Sequence, residues 1–157
     1  GKGTRTRISD DYLWLPFVTA EYIRITGDFE ILNCKVPYLQ EEPLKENETD
    51  RYCQPIVSLE TFSLYDHCIR SVNHALQFGE HGLPLIHGGD WNDGMNNIGS
   101  GGKGESVWLG WFLYTTLQKI IPVCRQMGEV DIAEDYSLLM QKSKILLKIM
   151  AGMEAGI

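Results

Sequence analysis

The sequence predicts an all-α fold, about two helical hairpins with a long irregular loop. Three observations carry that prediction. Apolar residues return at helical spacing in four separate stretches. Residues that start or stop helices flank them. Between the first two stretches, Pro37, Pro43, Pro55 and the charged run Glu41–Arg51 break any regular pattern. Apolar residues make up 43% of the 157, enough for one domain with a packed core.

The first helix is expected over Ser9–Thr26. Ser9, Asp10 and Asp11 offer side-chain oxygens to the free N–H groups of a first turn, and Gly27-Asp28 stops it. Pro16 is awkward inside it, so the helix is expected to begin near Leu15 or to bend there. Residues 29–60 are expected to form a surface excursion, with room for short strand pieces at Ile31–Val36 and Gln54–Val57. The second helix is expected from Leu59 to Phe78, on the stripe Leu64, Cys68, Val72 and Leu76. The third, Glu105–Met127, is apolar all round in its first half and should be buried on most sides. The fourth, Val130–Met153, sets Ile132, Tyr136, Leu139, Leu146 and Met150 on one face and lysines largely on the other. Such helices joined antiparallel give α-hairpins; pairs repeated around an axis build an α/α toroid, which four helices cannot close.

A net charge of −7 argues against nucleic acid or an anionic membrane as partner. No apolar run is long enough to span a bilayer, and no signal peptide is visible. Cys34, Cys53, Cys68 and Cys124 form no C-x-x-C pair and read as free thiols of a reducing compartment. The chain opens on Gly1 with sequence of mid-domain character, so a longer parent is expected.

Chemistry concentrates in His87-Gly88-Gly89-Asp90-Trp91-Asn92-Asp93-Gly94-Met95-Asn96, a loop between two helices. Carboxylates and amides bond sugar hydroxyls, and an indole covers the apolar face of a pyranose. A carboxylic acid whose pKa is raised can protonate a departing glycosidic oxygen. The same residues also make ordinary turns by bonding their own backbone, and both readings stand on residue types alone. A calcium loop fails, because Gly94 falls fifth from Asp90 and Gly101 twelfth. A Walker phosphate loop fails as well, because Gly104 follows Lys103 where Ser or Thr is required; the stretch reads as a flexible link, or as backbone N–H groups that face an anion or a sugar hydroxyl at the entry to the third helix. The histidines show no metal-ligand spacing. Trp14, Trp108 and Trp111 sit in apolar helical runs and read as core; Asp10 and Asp11 read as a helix start.

Gly88-Gly89-Asp90-Trp91-Asn92-Asp93-Gly94, followed by Gly104-Glu105-Ser106-Val107-Trp108-Leu109, resembles glycoside hydrolase family 94. That family includes cellobiose and chitobiose phosphorylases, β-1,2-oligoglucan phosphorylases and the C-terminal part of cyclic β-1,2-glucan synthases. Arg5–Pro16, Ser63–Cys68 and Gly82–Leu85 agree with it in order. The runs around Gly82 and Gly104 look nearest to the β-1,2-glucan members.

The resemblance implies an inverting phosphorylase acting on a β-linked glucan or oligosaccharide. Asp93 would be the general acid. Trp91 would line the subsite of the transferred sugar, with Asp90 and Asn92 orienting the loop or touching the sugar. It implies no cofactor and no metal, with inorganic phosphate as co-substrate. It also implies that residues 1–157 are part of an (α/α)6 barrel, inactive without the rest of the parent enzyme, whose phosphate-binding segments follow the fourth helix. Faces left open by such a cut would favour a homo-oligomer. The implied location is cytoplasmic, with a membrane-attached synthase as one form of parent. Two alternatives stay open: an inverting hydrolase on a similar barrel, and a non-catalytic carbohydrate-binding or structural helical module.

Overall fold

The computed structural model describes residues 1–92, 95, 97–99, 101–150 and 152. Its elements are β1 (Gly3–Arg5), α1 (Asp11–Thr26), a 3-10 turn (Glu30–Asn33), β2 (Lys35–Gln40), β3 (Arg51–Cys53), β4 (Ile56–Ser63), α2 (Leu64–Ala75), α3 (Val107–Gln126) and α4 (Val130–Met150). The all-α expectation is therefore wrong. Two antiparallel sheets accompany the helices, β1 with β3 and β2 with β4.

The physical reason lies in the excursion between α1 and α2. Its prolines deny that stretch a continuous helical ladder, and its backbone groups pair across the chain instead. Val36, Ile56, Val57 and Thr61 are β-branched and suit a pleated surface. The β2–β4 ladder runs from Lys35 opposite Ser63 to Gln40 opposite Ile56. Its register shifts between Pro37 and Leu39, beside the residue that cannot donate.

The second helix starts five residues later than expected, at Leu64, because Leu59–Ser63 belongs to β4. A capping box fixes the changeover. Ser63 Oγ accepts the Asp66 N–H at 3.0 Å, and Asp66 Oδ2 accepts the Ser63 N–H at 3.1 Å.

Pro16 lies inside α1, which begins at Asp11 rather than near Leu15. A proline at this position removes the N–H that would bond the Tyr12 carbonyl. The hydroxyl of Ser71, on α2, donates to that carbonyl instead. Ser71→Ala is expected to leave Tyr12 unpaired and to destabilise the domain by about 1–3 kcal/mol, read by chemical denaturation. An unchanged midpoint would show that water reaches the carbonyl.

Contacts at the helix ends give the helix directions. Tyr12, at the start of α1, meets Ser71 and His74 at the end of α2, so those helices are antiparallel. Trp14 and Phe17 meet Phe112, and Glu21 meets Lys119, so α1 and α3 run parallel. Gly110 faces Leu147, which sets α4 antiparallel to α3. The Tyr136 hydroxyl closes the set by donating to Asn73 Oδ1 at 2.8 Å, from α4 to α2. Leu13, Val72, Leu109, Leu113, Leu117 and Ile120 form the fully buried centre. Among the described residues, no helix is long and apolar enough to cross a membrane. The parallel course of α1 and α3 has a functional consequence, since it brings both helix starts to one end of the domain.

Candidate active site

That end carries the motif loop, fastened at several points. The Ser9 N–H and Ser9 hydroxyl both donate to the Gly89 carbonyl at 2.9 Å. The Gly88 N–H donates to the Arg7 carbonyl at 3.0 Å, and Ile86 N–H to the Gly104 carbonyl at 2.8 Å. Ser106 N–H reaches the Pro84 carbonyl at 2.9 Å. Close backbone approach explains one glycine in particular. A Cβ on Gly99 would collide with the carbonyl oxygen of His87.

Asp90 is buried and both its oxygens are engaged. Oδ1 accepts the Asn92 N–H at 3.0 Å, an Asx-type turn, and Oδ2 accepts the Ser106 hydroxyl at 2.7 Å. Ser106 Oγ in turn accepts the Leu109 N–H at 3.0 Å and caps α3. One carboxylate thus ties the motif turn to the start of a long core helix. Between its two bonds stands Trp91, 60% exposed, its ring 5.8 Å from that of Trp108. Asn92 is half-buried beside it. Asp90, Trp91, Asn92, Glu105, Ser106 and Trp108 help to line a cleft of about 350 Å³. Asp93, the expected acid, lies outside the described residues, as do Gly94 and Asn96.

Two readings made from sequence need correction. Trp14 is not core: it is 45% exposed, and its ring packs 4.6 Å from Phe112. Trp111 is also at the surface, 36% exposed. Asp10 is more than a helix start. Its side chain makes no cap bond and instead accepts the Trp14 indole N–H at 3.0 Å. The i, i+4 spacing of Asp10 and Trp14 is the sequence signal for that bond, in competition with the cap signal of an Asp next to a helix start.

Burial pushes the Asp10 carboxyl above its ordinary value of 3.8. The bond from Trp14 opposes this, while the nearby charges of Asp11 and Asp90 add to it. A raised folded-state pKa contributes stability that is full below the unfolded value and is lost as pH rises through the folded one. Asp10→Asn keeps an oxygen for Trp14 and cannot ionise. The variant is therefore expected to unfold at a higher temperature than the parent at neutral pH, with the gain vanishing at acid pH. A lower midpoint at neutral pH would contradict the burial account.

Glu105 is held differently. Its two oxygens meet the His81 N–H at 3.0 Å and His81 Nδ1 at 2.8 Å, which pins residues 79–82 against the start of α3. Among the described residues, no group of three or more His, Cys, Asp or Glu side chains could hold a metal ion.

The model of the glycosyl hydrolase 94 superfamily catalytic domain matches residues 1–146. The chain belongs to this family. Relatives agree with that membership. The cyclic β-(1,2)-glucan synthase NdvB of Rhizobium meliloti is 48% identical over 124 residues, which is 78% of this chain and 4% of that protein. A solabiose phosphorylase of Paenibacillus borealis is 30% identical over 149 residues, 94% of this chain and 16% of that one. A cellobionic acid phosphorylase of Neurospora crassa is 33% identical over 128 residues, 82% of this chain and 14% of that one. The chain therefore spans a small part of the family 94 proteins it matches.

Proposed function

We propose that this chain is part of the catalytic domain of an inverting glycoside phosphorylase acting on a β-linked glucan or oligosaccharide, with Asp93 as the general acid. Phosphate attacks the anomeric carbon on one face. The glycosidic C–O bond breaks on the other, its electron pair goes to oxygen, and Asp93 supplies the proton. A β-linked donor then gives an α-sugar 1-phosphate and a shortened acceptor. Trp91 is the platform for the transferred ring, and Asp90 orients the loop that carries both residues. Asn92 is a secondary sugar contact.

The observation that carries this reading is the anchoring of the Asp90–Asn92 turn to the starts of both parallel helices, with Trp91 left outward over a cleft. Family membership supports the reading, as do the phosphorylase names of the relatives. The 48% identity to a cyclic glucan synthase favours a β-1,2-glucan as donor. Phosphorolysis is favoured over hydrolysis by those same phosphorylase names. The isolated polypeptide is expected to be inactive, because it spans a small part of the family proteins it matches and the segments that hold the co-substrate phosphate are expected in the rest of the parent.

The test is a product assay on the full-length parent with a β-1,2-glucan. Sugar 1-phosphate formed only when inorganic phosphate is present is the expected result. Free reducing sugar formed at the same rate without phosphate would overturn the proposal.

A further inference from the structure

We infer that the cleft bounded by Arg5, Arg7, Tyr12, His74 and His87 binds a doubly charged oxyanion of the phosphate class, free or esterified to a small sugar. This cleft, of about 250 Å³, shares no lining residue with the one beneath Trp91. Its remaining walls are Thr6, Pro43, Leu44 and Gln77, so among the described residues no carboxylate lines it, although the whole chain carries a net charge of −7.

The two guanidinium groups are tied to backbone carbonyls and not neutralised. Arg7 donates through Nε to the Glu48 carbonyl at 3.1 Å, and through Nη2 to the carbonyls of Lys45 at 2.7 Å and Leu44 at 3.2 Å. Arg5 Nη1 donates to the Glu41 carbonyl at 3.1 Å. The side-chain carboxylates of Glu41 and Glu48 are meanwhile taken by Arg51, at 3.4 and 2.5 Å. Among the described residues, neither Arg5 nor Arg7 has an acidic partner. Asp11, close by, accepts the Thr6 hydroxyl at 3.1 Å.

The histidines complete the arrangement. The His74 ring packs 4.4 Å from that of Tyr12. His87 holds a left-handed φ of 49°, rare for a residue with a side chain. Burial holds the His87 imidazole below its ordinary pKa, and nearby His74 and Arg7 add to that effect. Among the described residues, the bonds to carbonyls leave Nη1 of Arg7 and Nε and Nη2 of Arg5 as donors near the histidine rings, which suits a phosphoryl group, since it accepts on several oxygens at once. The volume leaves room for an ester substituent.

Equilibrium dialysis of the full-length protein tests this, with inorganic phosphate in one arm and a sugar 1-phosphate in the other. Native protein is expected to bind one equivalent more than the Arg5→Gln/His74→Gln double variant. The arm with the tighter extra site identifies the physiological form. Gln77→Glu, which adds a carboxylate to the cleft and gives up the exposed bond from Gln77 Nε2 to the His74 carbonyl at 3.0 Å, is expected to weaken the same site on the order of tenfold or more. Equal stoichiometry in native and double variant would overturn the inference, as would full affinity in Gln77→Glu. The co-substrate site proposed above involves none of these residues and adds equally to every protein. Its absence from all of them would count against that proposal and leave the difference intact.

Discussion

Asp93→Asn in the full-length parent is expected to lower kcat for phosphorolysis of the natural donor by about 10²–10⁴, the usual weight of a general acid. An amide of the same shape keeps the hydrogen-bonding outline of the loop but has no proton to give. If Trp91 is the platform proposed above, substrate binding should change little, because Trp91 and the turn at Asp90 remain. KM is thus expected to stay near the parental value while kcat collapses. A variant that loses KM and keeps kcat would make Asp93 a binding residue. The reverse reaction, synthesis from sugar 1-phosphate, should fall by the same factor, since the acid of one direction is the base of the other.

Asp90→Ala is expected to produce the second-largest effect, and by a different route. Asp90 accepts from Asn92 N–H and from the Ser106 hydroxyl in a buried setting. Its removal strands both donors. Each hydrogen bond to a charged group is worth about 1.5–3 kcal/mol, so a loss of roughly 2–4 kcal/mol is expected once water relaxes into the gap. The Ser106 cap on α3 loosens with it, and the turn bearing Trp91 loses its anchor. Activity should fall with stability, on the order of a hundredfold from misplacement alone. Asp90→Asn, which keeps one acceptor oxygen, should retain part of both. Thermal unfolding and steady-state kinetics on the same preparations check this. An Asp90→Ala protein with parental midpoint and parental kcat would show that the loop is held by its backbone bonds alone.

The helices were largely legible in the sequence because their signals are local. Gly27 stops α1 with a left-handed φ of 72°, and its N–H bonds the Ile23 carbonyl at 2.8 Å. α3 begins where Ser106 can cap it. The strands were legible only in part: the pieces expected at Ile31–Val36 and Gln54–Val57 touch β2 and β4 at their first residues, while β1, β3 and the pairing were missed, for two physical reasons. Their pairing joins residues far apart, Lys35 with Ser63 and Gly3 with Cys53, which no local window contains. Their faces are also largely exposed, so the apolar alternation that marks a half-buried strand is weak; Leu39, Tyr52, Ile56 and Leu59 all lie at the surface.

The site was legible as residue types but not as geometry. Asp-x-Asn announces a turn, and Asp90 makes that turn with Asn92. Nothing nearby in sequence announces that its other oxygen meets Ser106, sixteen residues on. The burial of Asp10 beside it depends on α1 and α3 running parallel, which only the packed fold decides.

The most direct measurement compares two donors in the parent and in Asp93→Asn: a natural glucan, and a β-glycoside whose phenolate leaving group departs without a proton. If Asp93 delivers the proton, the variant is nearly inactive on the first and close to parental on the second. An equal deficit on both donors would contradict that role.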